Sequence, residues 1–440
     1  MTETIYALAS AAGRAGVAVY RLSGPRAGEV LQALTGRALP PARQARRARV
    51  MDRHHDLIDD GLVLWFPAPS SFTGEDVAEL HLHGGRAVAA ALAGALGQLG
   101  LRPAEPGEFS RRAFANGKLD LTRAEAIADL VEAETAAQRR QALRQMDGAL
   151  DRLAEDWRSQ VIRALAHLEA VIDFADEGVP DRLLTQVGEE VGALSASLAA
   201  HLDDGHRGER TRDGIHIAIL GAPNAGKSSL LNRLAGREAA IVSTQAGTTR
   251  DIIEIHLDLE GWPVVLADTA GLREAEGEIE AEGVRRALAR AGSADLKLVV
   301  FDAALLPVLD AATLEVIDDA TLVVANKTDL ASTIPGTIAG RPVLAVSARS
   351  GEGMGDLEAA LGRVVAERFS IGTAPVLTRA RHRAAVEEAL GALRRFDSGG
   401  GEELAAEDLR LAARALGRIS GRVEVDDMLD VIFREFCIGK

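Results

Sequence analysis

Between Thr4 and about Leu119, apolar and polar residues alternate in short runs, TIYALAS, VAVYRLSG, LVLWFPA and VAELHLHGG, separated by Gly, Pro and Ser. A period of two with turn residues between the runs predicts half-buried strands, and so an α+β domain over residues 1–119. The period then changes. Thr122-Arg123-Ala124-Glu125 has the form of a capping box and opens a long helical region, with apolar residues at Leu143, Met146, Leu150, Leu153, Trp157, Val161, Leu165 and Leu168. Spacings of three and four lay one stripe against a partner helix, which predicts the first part of a helical domain over 120–213. Near Gly214 strand-like runs return as IHIAILG, VVLADTAG, LKLVVFD and TLVVANK, with helical or turn-rich segments between them. That alternation predicts a mostly parallel, doubly wound sheet over 214–372. Helical patterns resume from Thr378 to Phe396 and from Leu404 to Leu416, assigning 373–440 to a second helical part. Two helical blocks around an α/β block predict one all-helical domain interrupted by an insertion, and no fixed-period repeat is present.

Composition narrows the class. With 47% hydrophobic residues, a chain of 440 fills several cores and reads as globular. The single cysteine, Cys437, excludes an internal disulfide and a cysteine-based zinc site, and the polar start MTETIYALAS lacks a secretory leader. A cytoplasmic location is expected. The most apolar helical stretch, AVAAALAGALG from Ala87 to Gly97, falls far short of the ~20 residues of a membrane span, so no membrane association is expected. The net charge of -15 has the wrong sign for holding nucleic acid by bulk attraction, so such contacts must be local or shared with a partner. The basic run RQARRARVMDR, Arg43 to Arg53, has no interleaved aromatics and reads as a solvated strand and loop edge.

The run IHIAIL leads into Gly221-Ala222-Pro223-Asn224-Ala225-Gly226-Lys227-Ser228, a phosphate-loop pattern in its required setting of strand before and helix after. Its glycines let backbone N–H groups turn inward around phosphates, Lys227 reaches the terminal phosphates, and Ser228 offers a hydroxyl to Mg²⁺. An ordinary glycine-rich turn is the alternative that this setting disfavours. Asp268-Thr269-Ala270-Gly271 follows PVVLA, where a carboxylate reaches the Mg²⁺ shell and the Gly271 amide senses a terminal phosphate. Asn326-Lys327-Thr328-Asp329 follows TLVVA and supplies a carboxylate that accepts from both the ring N–H and the amino group of guanine. Adenine lacks that donor pair, and two charged hydrogen bonds of roughly 1.5 to 3 kcal/mol each discriminate about a hundredfold or more against ATP. Ser347-Ala348, after PVLAV, has the place of the loop whose amide meets the guanine oxygen. The polar segment from Val242 to Asp251 occupies the place of a nucleotide-sensing switch, with Thr249 as the second hydroxyl for Mg²⁺. In this order, each after its own strand, the motifs specify a GTP site.

The hydrolytic group is less plain. Leu272 follows Gly271 where a Ras-like enzyme carries a water-orienting glutamine, which leaves Glu274, Glu276, Glu278, Glu280 and Glu282 as candidates that spacing cannot separate. Positive charge is also required, since an arginine finger is worth about 10³ to 10⁵ in rate, and Asn224 could help hold a monovalent cation in its stead.

Taken together, GAPNAGKSS, AGTTRD, DTAGLRE, NKTD and SAR inside a helical domain, with SFTGED, PGEFSRRAF, KLDL and the terminal CIGK outside it, resemble the tRNA-modification GTPase family MnmE (TrmE) over essentially the whole chain. The terminal CIGK and the inserted GTPase domain are specific to that family, whereas translational GTPases share only the nucleotide motifs. The resemblance implies an N-terminal tetrahydrofolate-binding-like domain that holds a one-carbon folate and joins a homodimer, a helical central domain and an inserted Ras-like P-loop GTPase domain. It extends the nucleotide contacts to Asn224, Ala225, Gly226, Lys227, Ser228 and Ser229, to Ser243, Thr244, Gln245, Ala246, Gly247, Thr248 and Thr249, to Asp268 through Gly271, to Asn326 through Asp329, and to Ser347, Ala348 and Arg349. By the same resemblance Asn224, Ser243, Gln245 and Thr248 ligate K⁺, Glu280 positions the attacking water through a bridging water, and the folate meets Arg21, Glu79, Lys118 and Lys440. An FAD-dependent MnmG (GidA)-type flavoprotein, joined in a heterotetramer, is the implied partner in installing an aminomethyl-type group at carbon five of the wobble uridine of certain tRNAs.

The tail CIGK has the position of a prenylation box, but a final Lys and the lack of a preceding polybasic stretch argue against lipidation. Cys437 reads either as a small buried hydrophobe or as a thiol beside the one-carbon site, with Lys440 the stronger pterin contact. Glu79, His81 and His83 share one face of a strand; the reading preferred for Glu79 is a polar pocket wall, and a metal site is the alternative. Arg21 ends an apolar strand, where an exposed strand-end charge is the alternative. The stretch from Phe301 to Thr321 is short and poor in basic residues beside many members of that family. The rival function is a regulatory GTP-binding switch in ribosome assembly, which predicts an RNA-binding module such as a KH domain after the GTPase block.

Overall fold

The computed structural model describes residues 3–173, 181–236, 240–241, 254–268, 292, 294–370, 372, 374–396, 401–423, 426–434 and 436–439. They form two compact units, one drawn from residues 1–131, 145–194 and 388–440, the other from 132–144 and 195–387.

In the first unit, strands β1 (Ile5–Leu8), β2 (Ala15–Ser23), β3 (Arg46–Met51), β4 (Leu57–Phe66), β5 (Val77–Gly84) and β6 (Arg102–Pro103) form a sheet in the order β3-β4-β5-β2-β1-β6. Only β1 and β6 pair in parallel. The period-two pattern sends Tyr20, Leu22, Val63, Trp65, Leu80 and Leu82 to one face. There they pack with Val30, Leu31 and Leu34 of helix α1 (Ala27–Thr35) and Leu92 and Leu96 of α2 (Arg86–Gln98). Ile5 and Ala7 join Ala104 and Phe109 of α3 (Glu108–Ala115) in a separate small core, with Phe72 against it. The basic run forms edge strand β3, where Arg47 bonds Asp60 of β4 at 2.9 Å. Charges on an edge strand discourage pairing with another chain.

Helix α4 (Leu121–Glu132) begins one residue before the expected capping box. Asp120, not Thr122, is the cap: its Oδ1 accepts from Arg123 N at 3.0 Å and from Thr122 Oγ1 at 2.6 Å. A carboxylate is the stronger acceptor and is favoured by the helix dipole, so the hydroxyl becomes a donor to it. The single apolar stripe read from the sequence belongs to two helices, α5 (Ala136–Met146) and α6 (Ala149–Asp173), separated at Gly148, whose φ is 81°. On α6 the buried row is Leu150, Ala154, Trp157, Val161, Ala164, Leu168 and Val171, with Leu153 and Leu165 at its flank; Leu143 on α5 is exposed. The helix Glu402–Ser420 packs along α6. A last helix, Asp426–Arg434, sets Leu429, Ile432 and Phe433, with Phe436 beyond it, against Leu121 and Ala124.

The second unit takes in part of α7 (Asp181–Leu202), α8 (Arg207–Asp213), strands β7 (Ile215–Leu220), β8 (Ala240–Ile241), β9 (Glu254–Leu259), β10 (Trp262–Asp268), β11 (Leu296–Asp302), β12 (Thr321–Asn326), β13 (Thr337–Ile338) and β14 (Arg341–Ala345), and α9 (Lys227–Ala235). The sheet order is β13-β14-β12-β11-β7-β10-β9-β8, with β14, β12, β11, β7 and β10 mutually parallel. Of these, β7, β11 and β12 are nearly continuous apolar runs and mostly buried, as cover on both faces requires. Leu230, Leu231 and Leu234 of α9 and Leu357, Leu361 and Val365 of the helix Met354–Phe369 share their core. Later in the chain come the helix Ala380–Arg395, which passes from the second unit to the first, and the helix Glu402–Ser420 of the first unit. Among the described residues, no helix is long and apolar enough to cross a membrane.

Candidate functional site

In a parallel sheet, ligands bind beyond the carboxyl ends of the strands. Here β7 ends at the phosphate loop, β10 at Asp268, β11 at Asp302 and β12 at Asn326, with β14 entering the segment Val346–Ser347. These five strands are neighbours, so their terminal residues gather on one rim.

The phosphate loop is shaped by backbone that only particular residues adopt. Gly221, Asn224 and Gly226 have φ of 146°, 64° and 90°. A Cβ on Gly221 would overlap the carbonyl oxygen of Val300, and one on Gly226 would overlap Asn326 Nδ2, so the loop lies too close to β11 and β12 for a side chain. Gly226 then caps α9, whose first residue is Lys227. Lys227 is buried, with Nζ 2.8 Å from Gly221 O and 2.9 Å from Ala222 O, so the ammonium is held across the mouth of the loop. Ser228 and Ser229 follow on the exposed side of the first turn. A cradle of this kind, with a buried cation at a helix N-terminus, fits a polyphosphate.

The base side is tied to it. Asn326, 1% exposed, donates from Nδ2 to Ala225 O at 3.0 Å and accepts at Oδ1 from the amide of Ala348 at 3.1 Å. Its side chain therefore joins three loops. Ser347 donates from Oγ to Asp329 Oδ1 at 2.7 Å and accepts from Ser350 N at 3.1 Å, which orients the Asp329 carboxylate at the exposed rim. The Ala348 amide expected to meet a guanine oxygen is thus directed to Asn326. Arg349 is exposed beside it. Gly353 allows the turn to close: with φ of 72°, a Cβ there would overlap Ala345 O. Asn224, Ala225, Gly226, Lys227, Ser228, Ser229, Asn326, Lys327, Thr328, Asp329, Ser347, Ala348 and Arg349 are thereby brought to one rim. The residues named at Ser243, Thr244, Gln245, Ala246, Gly247, Thr248, Thr249, Thr269, Ala270, Gly271 and Glu280 lie outside the described residues, as does the side chain of Asp268.

A second constellation lies on the sheet of the first unit. Arg21 and Glu79 are register partners on β2 and β5 and form an ion pair at 2.9 Å, with Arg21 Nε 3.0 Å from the same carboxylate. The Arg21 guanidinium sits over the rings of Phe72 and Phe109, 5.4 and 5.9 Å from their centroids. Arg21 is therefore held by a carboxylate and two rings, not a stray strand-end charge. His81 Nε2 reaches Glu79 Oε2 at 3.2 Å, whereas His83 turns to Asp59 at 2.9 Å. The two histidines have different partners, and among the described residues no group of three His, Cys, Asp or Glu could hold a metal ion. Lys118 donates to Pro69 O at 3.0 Å and its stem lies against Gly74, placing it on the same SFTGED loop that carries Phe72.

That loop is fastened by residues the sequence reading passed over. Ser23 and Thr73, both fully buried, are 2.7 Å apart, and Ser23 donates to Glu75 Oε2 at 2.7 Å. Arg112 bonds Glu75 at 3.0 Å and Glu108 at 2.9 Å, and Arg102 bonds Glu108 at 2.7 Å. Burial pushes the Glu108 carboxyl up, but hydrogen bonds from Arg102, the Glu105 amide and Arg112 outweigh it and hold the group at about 2. Glu108 and Arg112 in PGEFSRRAF were the available signal, since opposite charges four positions apart meet on one helix face.

The chain terminus meets this unit. Ile438 forms a bridge with Pro106, Gly107 N faces Cys437 O at 3.5 Å, and Gly439 at φ 97° stands so close to Leu8 that a Cβ would overlap its carbonyl oxygen. Leu8 lies one residue beyond Ala7, the register partner of Arg21. Cys437 is exposed, which excludes the buried-hydrophobe reading; Lys440 lies outside the described residues.

A family model of the MnmE helical domain matches residues 121–437, and one of the GTP-binding protein TrmE N-terminus matches residues 4–118. The tRNA modification GTPase MnmE of Paramagnetospirillum magneticum is 72% identical over 441 residues, covering 100% of both chains. The protein of that name from Parvibaculum lavamentivorans is 59% identical, again over 100% of both chains. That from Rhodospirillum rubrum is 59% identical over 100% of this chain and 99% of its own.

Proposed function

The chain belongs to the MnmE family of tRNA modification GTPases, and on that premise we propose how its two sites divide the work. It is a GTP-hydrolysing enzyme of tRNA wobble-uridine modification. The observation that carries the nucleotide assignment is Asn326, which fastens the phosphate loop and the Ser347 loop to the end of β12, three residues before Asp329. GTP lies with its phosphates over Gly221–Ser228 and its base at Asp329. Lys227 neutralises the terminal phosphates and Asp329 accepts from the guanine ring N–H and amino group. Ser228 with Thr249 would hold Mg²⁺, which supplies charge neutralisation at the β- and γ-phosphates. Asn224 with Ser243, Gln245 and Thr248 would hold K⁺, supplying the positive charge of an arginine finger when two GTPase domains pair. Glu280 orients the attacking water.

The Arg21–Glu79 pair, with the Arg21 guanidinium over Phe72 and Phe109 and Lys118 against the loop that carries Phe72, fits a flat, polar heterocycle with a carboxylate tail, as a tetrahydrofolate one-carbon derivative is. A homodimer, an FAD-bearing MnmG-type partner in a heterotetramer, tRNA as substrate and a cytoplasmic location complete the proposal. The domain limits are 1–119 for the folate-binding and dimerisation domain, 120–213 and 373–440 for the helical domain, and 214–372 for the GTPase domain. The helices after the sheet, in place of a KH module, count against a ribosome-assembly switch.

The test is GTP hydrolysis by the full chain in K⁺ and in Na⁺ at matched ionic strength, with size-exclusion chromatography in each salt. Faster turnover in K⁺, with dimers, is expected. Equal rates in the two salts would remove the cation mechanism.

A further inference from the structure

The structure assigns Asp302 a positioning role: through Lys327 it holds the phosphate loop at Asn224. This rests on the GTP-site reading above and adds a residue outside all of the nucleotide motifs.

Asp302 is the last residue of β11, the strand between β7 and β12, and it is the register partner of Asn326. Its carboxylate is divided between two tasks. Oδ1 accepts from the amide of Ala304 at 3.0 Å and caps the short turn Ala303–Leu305. Oδ2 accepts from Lys327 Nζ at 2.7 Å. The same ammonium donates to Asn224 O at 2.7 Å. Asp302, Lys327 and Asn224 are thus a chain of two short charged hydrogen bonds running from the base side of the site to the phosphate side.

Two members of that chain need support. Lys327 and Asn224 are both in the left-handed backbone region, at φ of 65° and 64°. Lysine gains nothing there locally, so the conformation persists only while its surroundings hold it. Lys327 has a long stem with large rotamer entropy, and one bond to a carbonyl would leave its ammonium free to swing to water. The Asp302 carboxylate, with side-chain exposure of 14%, supplies the charge that keeps it in place. The stem then passes Gly226, its Cε 3.7 Å from where a Cβ would stand. Removing the carboxylate charge releases the lysine, and with it the Asn224 carbonyl that the lysine holds.

The test is a double-mutant cycle on the full-length chain, read as the dissociation rate of mant-GDP chased with unlabelled GDP. Asp302→Asn keeps an acceptor for Ala304 but removes the charge, and is expected to speed release about tenfold, the factor of one 1.4 kcal/mol interaction. In a Lys327→Met background the same change is expected to add less than about twofold, because residues that act through one another are not additive. Release unchanged by Asp302→Asn overturns the proposal, and so does an equal effect in both backgrounds, which would assign Asp302 to the turn alone. Should Asp302→Asn not accumulate as folded protein, Asp302→Ser enters the same cycle with the same expected outcomes. Wild-type protein that retains mant-ADP as long as mant-GDP would sink the guanine reading itself, and wild-type discrimination with no effect at Asp302 sinks only the positioning role.

Discussion

The Asn326 side-chain amide stands 3.0 Å from the carbonyl oxygen of Ala225, joining two loops whose residues are 101 positions apart in the chain. The two sides proposed for base and phosphates are therefore tied together, and a disturbance at the joint is expected to reach both.

Gly226→Ala places a methyl group where Asn326 Nδ2 already is, at a backbone φ of 90°. Guanine nucleotide affinity is expected to fall by about a hundredfold or more, the scale of losing two polar anchors together. Fluorescence titration with mant-GDP measures it, and an affinity within about threefold of wild type contradicts the geometry.

Asp329→Asn keeps an acceptor for the Ser347 hydroxyl but turns a carboxylate oxygen toward the base into a donor. The variant is expected to lose GTP by about a hundredfold in KM and to accept xanthosine triphosphate, whose 2-oxo group suits that donor. Unchanged preference for GTP would remove Asp329 from base recognition.

The Glu108 carboxyl, ordinarily near 4.5, is held at about 2 in the folded chain. Below about pH 4.5 the unfolded chain binds a proton that the folded chain does not, so this stabilisation is complete above that pH and lost as pH falls toward 2. The contribution is about 3 kcal/mol. Chemical denaturation between pH 6 and 3 should show the decline, and Glu108→Gln should flatten it while lowering stability at neutral pH by about 2 kcal/mol. An acid limb unaltered by Glu108→Gln would show that Arg102 and Arg112 do not depend on this carboxylate.

Gly439→Ala forces a methyl group against the Leu8 carbonyl oxygen and should lift the tail from the sheet. Folate affinity and tRNA modification are expected to fall about tenfold or more, with GTP hydrolysis kept. Cys437→Ser leaves the tail seated, so loss of modification with GTP hydrolysis intact would assign chemistry to the exposed thiol, and a fully active variant would refute that role.

Much of the nucleotide site was legible because its motifs are short and local. Gly221 and Gly226 owe their place to backbone shape, Lys227 to the start of one adjacent helix, and the roles proposed for Lys227 and Asp329 rest on their own side chains, so spacing along the chain carries the reading. The cap of α4 was misplaced by two positions because Asp120 and Thr122 both suit the role, and only the competition between their oxygens decides it. The break at Gly148 was missed because apolar spacings of three and four continue across it.

The sequence by itself determined the periods, hence which segments are strands and helices, and the order of motifs that specifies a guanine nucleotide and the MnmE family. Tertiary structure alone decided which distant residues meet: Asp302 with Lys327, Arg112 and Ser23 each with Glu75, Gly439 with Leu8. The physical reason is range. Propensity, capping and backbone sterics act over a few neighbouring residues and leave their mark in the local pattern, whereas hydrogen bonds between strand ends arise only when packing of the apolar faces has already brought those ends to one rim.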